Sequence, residues 1–139
     1  MSFVLDNSVA LAWCFEDEQT QPIMALLDRV VETGAMAPLL WPLEALNGLL
    51  VAERRRRLDA AKRAELAGLL RALPITLDDE TADKSWGDTL RLAEAFRLSV
   101  YDATYLELAQ RRRLPLASMD RALRNAAVAS GVEVLGEMP

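Results

Sequence analysis

Ser2-Phe3-Val4-Leu5-Asp6-Asn7-Ser8-Val9 begins with an apolar run that stops at a carboxylate. Phe3-Val4-Leu5 reads as a buried strand, and Ser8 as the cap of a short helix behind it. An aspartate at the carboxyl end of a buried strand is badly placed for stability, because water is excluded from both faces there. The same arrangement returns late in the chain, where Pro115-Leu116-Ala117-Ser118-Met119 runs into Asp120. Two further acids, Glu44 and Asp102, stand at the openings of helical stretches. Several carboxylates converging on one crevice are better explained by a bound hard cation than by packing.

Outward from the first strand, short apolar runs alternate with amphipathic segments. Residues 21–33 carry Ile23, Leu26, Leu27, Val30 and Val31 at helical spacing, and Gly34 stops the helix. Met36-Ala37 reads as a brief second strand, after which Pro42 starts a helix through Glu44 into the arginines at 54–57. Asp59 caps a helix that Pro74 ends at residue 72. Ile75-Thr76-Leu77 is the next strand, followed by helices at 81–96 and 102–112. Leu116-Ala117-Ser118 is a strand, 121–130 a helix, and Val132-Glu133-Val134-Leu135 an edge strand. Strands separated by helices mean crossover connections and a mainly parallel sheet covered on both faces. Asp6 and Asp120 then lie at the carboxyl edge of that sheet, where such folds bind ligands.

At 139 residues the chain suits one domain, spanning 1–139. Apolar content of 52% with 27% charged residues marks a globular composition. The single cysteine, Cys14, rules out an intramolecular disulfide and fits a reducing cytoplasm. No secretory leader is visible. The longest apolar region, 36–52, is interrupted by Pro38, Pro42, Glu44 and Asn47, so no membrane span is expected. A net charge of −5 argues against passive nucleic-acid binding, although Arg54 to Arg57 and Arg111 to Arg113 are local basic patches. Both lie at helix ends, where cations complement the dipole and stay solvated.

There is no histidine, which removes Ser-His-Asp and Cys-His catalysis and histidine-based zinc sites. One cysteine cannot build a thiolate zinc site. Asp6-Asn7-Ser8-Val9-Ala10 contains no glycine, so neither a phosphate-binding loop nor a dinucleotide fingerprint follows the first strand. Oxygen-ligand chemistry remains, suited to Mg²⁺ or Mn²⁺. Carboxylates held close together raise one another's pKa, and a divalent ion relieves the repulsion. Such an ion lowers the pKa of a bound water and offsets charge on a phosphodiester. With no histidine to serve as base, that water is the expected nucleophile.

Four blocks, residues 3–9, Pro42-Leu43-Glu44-Ala45-Leu46-Asn47, Tyr101-Asp102-Ala103-Thr104-Tyr105 with the residues to 109, and residues 116–123, resemble the signature blocks of PIN-domain nucleases. They come in the family's order and cover nearly the whole chain; the compact bacterial form is the VapC-type toxin of toxin–antitoxin pairs. The resemblance implies a three-layer α/β/α sandwich and Mg²⁺- or Mn²⁺-dependent cleavage of RNA. It also implies a homodimer and inhibition by a small antitoxin protein. By position, Asp6, Asp102 and Asp120 would hold metal, Glu44 would complete the acidic site directly or through water, and Ser118 would orient Asp120 or a metal water. Some members carry another acid two positions after the last aspartate; here that position is Ala122, which weakens the case for a second metal.

Each acid also has a plainer reading. Asp6, Asp102 and Asp120 could cap the helices that follow them, and Glu44 suits a first helical turn through the macrodipole. Trp13, Trp41 and Trp86 are expected in core or interface, with base stacking open to Trp13 and Trp41. A HAD-type phosphatase would need a second aspartate where Ser8 stands. A receiver domain would need a late lysine, and the only lysines, Lys62 and Lys84, lie on helical segments. The alternative that survives is a PIN-like binding subunit that acts through a DNA-binding partner. The apolar surplus of 21–33 and 42–72 points to a homodimer with Trp41 or nearby leucines at its interface.

Overall fold

The computed structural model describes residues 2–136. Its strands are β1 (Val4–Leu5), β2 (Ala35–Pro38), β3 (Ile75–Asp78), β4 (Leu116–Ala117) and β5 (Val134–Leu135). They form one all-parallel sheet in the order β3-β2-β1-β4-β5. The chain therefore builds outward from β1 through β2 to β3, then returns to the other side of β1 for β4 and β5. Val4 pairs with Met36 on one side and with Leu116 on the other, and Leu5 pairs with Ala117. A reversal of strand order opens a crevice at the carboxyl ends of the two strands that flank it. Here those strands are β1 and β4.

The central strand is apolar throughout because helices cover both faces: Phe3, Val4 and Leu5 are fully buried. The helices are α1 (Asn7–Ala12), α2 (Gln21–Thr33), α3 (Trp41–Arg54), α4 (Ala60–Ala72), α5 (Thr81–Lys84), α6 (Leu90–Phe96), α7 (Val100–Arg112) and α8 (Arg121–Ala129). Together with the sheet they make the three-layer α/β/α sandwich. α7 packs across β2, β1 and β4 with α6 and α8 beside it, and α3 packs against both α1 and α4. Residues 103–109 of α7 are buried without a break, so this helix runs through the interior rather than over it.

Local chemistry sets the boundaries. The Asp59 carboxylate accepts from Lys62 N–H at 2.7 Å and caps α4 as expected. α2 starts at Thr20, whose hydroxyl accepts from Ile23 N–H at 3.3 Å, and ends at Gly34 with φ 77°. A Cβ at Gly34 would also sit 3.0 Å from Pro74 O, so the turn into β2 requires glycine. At Gly48, a Cβ would lie 2.5 Å from Leu11 Cδ1; its absence lets α1 settle against α3.

Some expected elements differ. α7 begins at Val100 rather than 102, because Ser99 supplies the cap and accepts from Asp102 N–H at 3.0 Å. Ser8 lies inside α1 rather than capping it. The 81–96 helix is divided by a π-helical turn over Ser85–Thr89, an insertion that 3.6-residue periodicity does not register. Trp13 and Trp41 are buried, whereas Trp86, in that turn, is 87% exposed and belongs to no core. Among the described residues no helix is long and apolar enough to cross a membrane.

Candidate active site

Asp6 directly follows β1, and its N–H donates to Ala117 O at 3.0 Å, extending the β1–β4 ladder by one bond. Asp6 and Ser118 are thus neighbours across the crevice at the switch point. Ser118 Oγ donates to Asp6 Oδ2 at 2.8 Å, and Ser8 Oγ donates to the same oxygen at 2.6 Å. Each hydroxyl is itself fixed by a backbone donor: Met119 N–H to Ser8 Oγ at 2.9 Å, and Asp120 N–H to Ser118 Oγ at 3.0 Å. Both hydroxyl protons are therefore committed to Asp6, and Oδ1 is left for a further ligand. Asp6 occupies the N-cap place of α1 but makes no side-chain cap bond. Capping does not account for it.

Asp120 does cap: its Oδ1 accepts from Leu123 N–H at 3.2 Å, at the start of α8. Asp102 is the third residue of α7, and the capping role belongs to Ser99. Glu44, in the first turns of α3, accepts a 2.6 Å hydrogen bond at Oε1 from the hydroxyl of Tyr105. Tyr105 is fully buried and lies one helical turn beyond Asp102, on the same face of α7. Two helices and two strand ends thereby bring the four acids to one place.

The electrostatics record that convergence. Burial pushes the Asp6 carboxyl up to about 6, and repulsion from Asp102 and Glu44 adds to the rise against the two serine hydrogen bonds. Glu44 is raised by burial and by Asp102, with the Tyr105 bond opposing. Asp102 is raised by burial and by Asp120, with the Ser99 bond opposing. Burial, and then the neighbouring carboxylates, drive the Tyr105 phenol upward, so it stays a donor. The donor set is hard oxygen throughout, and Mg²⁺ or Mn²⁺ is the type of ion that would discharge it. The chemistry of these residues fits a divalent cation.

A second acidic group, Asp78, Asp79 and Glu80, has ligand atoms within 4.8 Å of one another, closer than the four acids of the crevice come as a set. Two of its three acids already pair with Arg111. Arg111 donates to Asp78 Oδ2 at 2.6 Å, to Glu80 Oε2 at 3.0 Å and to Glu107 Oε2 at 2.8 Å. Burial alone would raise Asp78, but the Arg111 bonds outweigh it and its carboxyl falls below its usual range. Arg111 and these carboxylates form an ion-pair network that joins β3 to α7.

The basic runs are likewise partly committed. Arg57 pairs with Asp17 at 3.1 Å and Glu18 at 3.3 Å, and its guanidinium lies 4.1 Å over the Phe15 ring. Arg111 serves the buried network. Sequence reasoning missed the roles of Ser8, Tyr105 and Arg111. The available signals were Tyr105 three residues from Asp102 and Arg111 four from Glu107, both helical-face spacings.

Comparison with solved structures finds the same fold. PAE2754 from Pyrobaculum aerophilum is 24% identical, with a TM-score of 0.69 over 96% of this chain and 83% of that one. VapBC2 from Rickettsia felis, bound to a DNA fragment from its promoter, is 8% identical, with a TM-score of 0.66 over 96% and 97%. A toxin–antitoxin complex from Klebsiella pneumoniae is 15% identical, with a TM-score of 0.52 over 85% and 86%. Among curated proteins no sequence matches. The model of the PIN domain family matches residues 3–129, nearly the whole chain, and the chain belongs to that family.

Proposed function

We propose that this protein is a divalent-metal-dependent endoribonuclease, the single-domain toxin of a toxin–antitoxin pair acting in the cytoplasm. The observation that supports this most is the meeting of Asp6, Glu44, Asp102 and Asp120 at the β1–β4 crevice, with three of the four raised by burial and mutual repulsion. Asp6, Asp102 and Asp120 would hold Mg²⁺ or Mn²⁺, and Glu44 would complete the site directly or through water. A bound cation of this kind supplies Lewis-acid activation of water and neutralises charge on a phosphodiester. Ser8 and Ser118 fix Asp6 through Oδ2, and Tyr105 fixes Glu44 through Oε1. The remaining carboxylate oxygens are the ones available to a cation.

The partners proposed are RNA, a small antitoxin and a second copy of the chain. The Klebsiella neighbour's description as a toxin–antitoxin complex supports the antitoxin. An apolar groove of about 570 Å³ between α3, α4 and β3, lined by Trp41, Leu46, Leu70 and Leu77 among others, supports pairing through the leucine-rich face. A second reading, a PIN-like binding subunit that works through a DNA-binding partner, draws on the promoter DNA in the VapBC2 neighbour's description. The test is incubation of the free protein with labelled single-stranded RNA in Mn²⁺, in Mg²⁺ and in EDTA. Cleavage that EDTA abolishes is expected; intact RNA under all three conditions favours the binding subunit.

A further inference from the structure

Two of the crevice acids directly follow large side chains that stand in solvent. Leu43, next to Glu44, is 72% exposed, and Tyr101, next to Asp102, is 65% exposed. Tyr101 is four residues before Tyr105 on α7, so the two rings lie on the same helix face one turn apart. Tyr105 reaches inward to Glu44. Helical side chains lean toward the helix N-terminus, which carries the Tyr101 ring away from the buried stretch and toward the solvent end of α7, whose first turn also holds Asp102. A large aromatic at that place gains nothing for the core.

We infer that Tyr101 forms a nucleobase subsite at the rim of the crevice, stacking on a base of single-stranded RNA whose phosphate lies over the Asp102 side of the acids. The inference rests on the nuclease reading. A nucleotide carries its charge at the phosphate and its flat apolar surface at the base. The first turn of α7 carries both halves of the complement, Asp102 of the acidic cluster and the exposed ring of Tyr101 before it. Stacking accepts any base, because each presents a π-face. It requires the base to be unpaired, which favours loops and single strands over duplex.

The experiment combines a substrate series with ring variants. Short RNAs with an abasic residue at each position in turn are cleaved by wild type, Tyr101→Ala and Tyr101→Phe. In parallel, a 2-aminopurine RNA is titrated onto the cleavage-impaired Asp6→Asn protein with and without Tyr101→Ala. One abasic position should cost wild type about 5- to 150-fold in kcat/KM, cost Tyr101→Phe the same, and cost Tyr101→Ala nothing further. Fluorescence quenching should need the ring. Equal abasic penalties in wild type and Tyr101→Ala overturn the subsite while leaving the nuclease reading intact. So does a Tyr101→Ala protein that cleaves normally but loses its grip on a protein partner. Wild type that neither binds nor cleaves any of the RNAs brings down both.

Discussion

Replacing Asp6 by asparagine should make the metal-free protein more stable at neutral pH. Asp6 is 4% exposed, and its carboxyl is raised from 3.8 to about 6. Between those values the native state holds a proton that the unfolded chain has released, so stability falls as pH rises through that window. Above it the cost is constant. At about 1.4 kcal/mol per pKa unit, a rise of roughly two units costs about 3 kcal/mol. The amide oxygen of asparagine can still accept from Ser8 and Ser118, while its NH₂ needs a new partner, leaving a net gain of about 1–3 kcal/mol. For a chain of this length that is a rise of roughly 3–10 °C in Tm. The assay is thermal unfolding of both proteins in EDTA from pH 3.5 to 8. The gap should open between pH 4 and 6, and Mn²⁺ should narrow it by stabilising wild type alone. An Asp6→Asn protein that is less stable at pH 7.5, by an amount independent of pH, would refute the reasoning.

Arg111→Met should cost about 3–5 kcal/mol in urea unfolding, because it leaves the buried Asp78 and Glu107 carboxylates without their cation; a loss under about 1 kcal/mol would show that the network is replaceable. Tyr105→Phe keeps the ring and removes the donor to Glu44, so kcat should fall at least about tenfold with KM little changed. An unchanged kcat would remove Tyr105 from the site. Light scattering of the free protein at micromolar concentration should give a dimer, and Leu46→Glu should convert it to monomer; a monomeric wild type contradicts pairing through the α3–α4 face.

Asp6 and Asp120 were legible because a carboxylate stands out directly after an apolar run, and the sheet order placed both beside one switch point. Glu44 and Asp102 were legible as acids but not as neighbours, since only the crossing of α7 over the sheet brings its first turns to α3. The plainer reading held for one oxygen of Asp120, which caps α8. It failed for Asp6, which makes no side-chain cap bond, and for Asp102, where Ser99 caps α7. Tyr105 looked like core because a buried tyrosine and a buried leucine fit the same helical pattern; its hydroxyl contact is 61 residues away in sequence. Arg111 looked like a solvated helix end for the same reason, as nothing local announces Asp78. What stayed hidden was side-chain pairing across elements, which periodicity does not encode.

The central claim is that the four acids make one cation-dependent cleavage centre. Its most direct test is the rate of RNA cleavage by wild type and Asp6→Asn, purified side by side and both shown to be folded. The account predicts at least about a 100-fold lower rate for the variant, since losing a ligand oxygen should cost more than losing a residue that only supports one. Equal rates for the two proteins would contradict it.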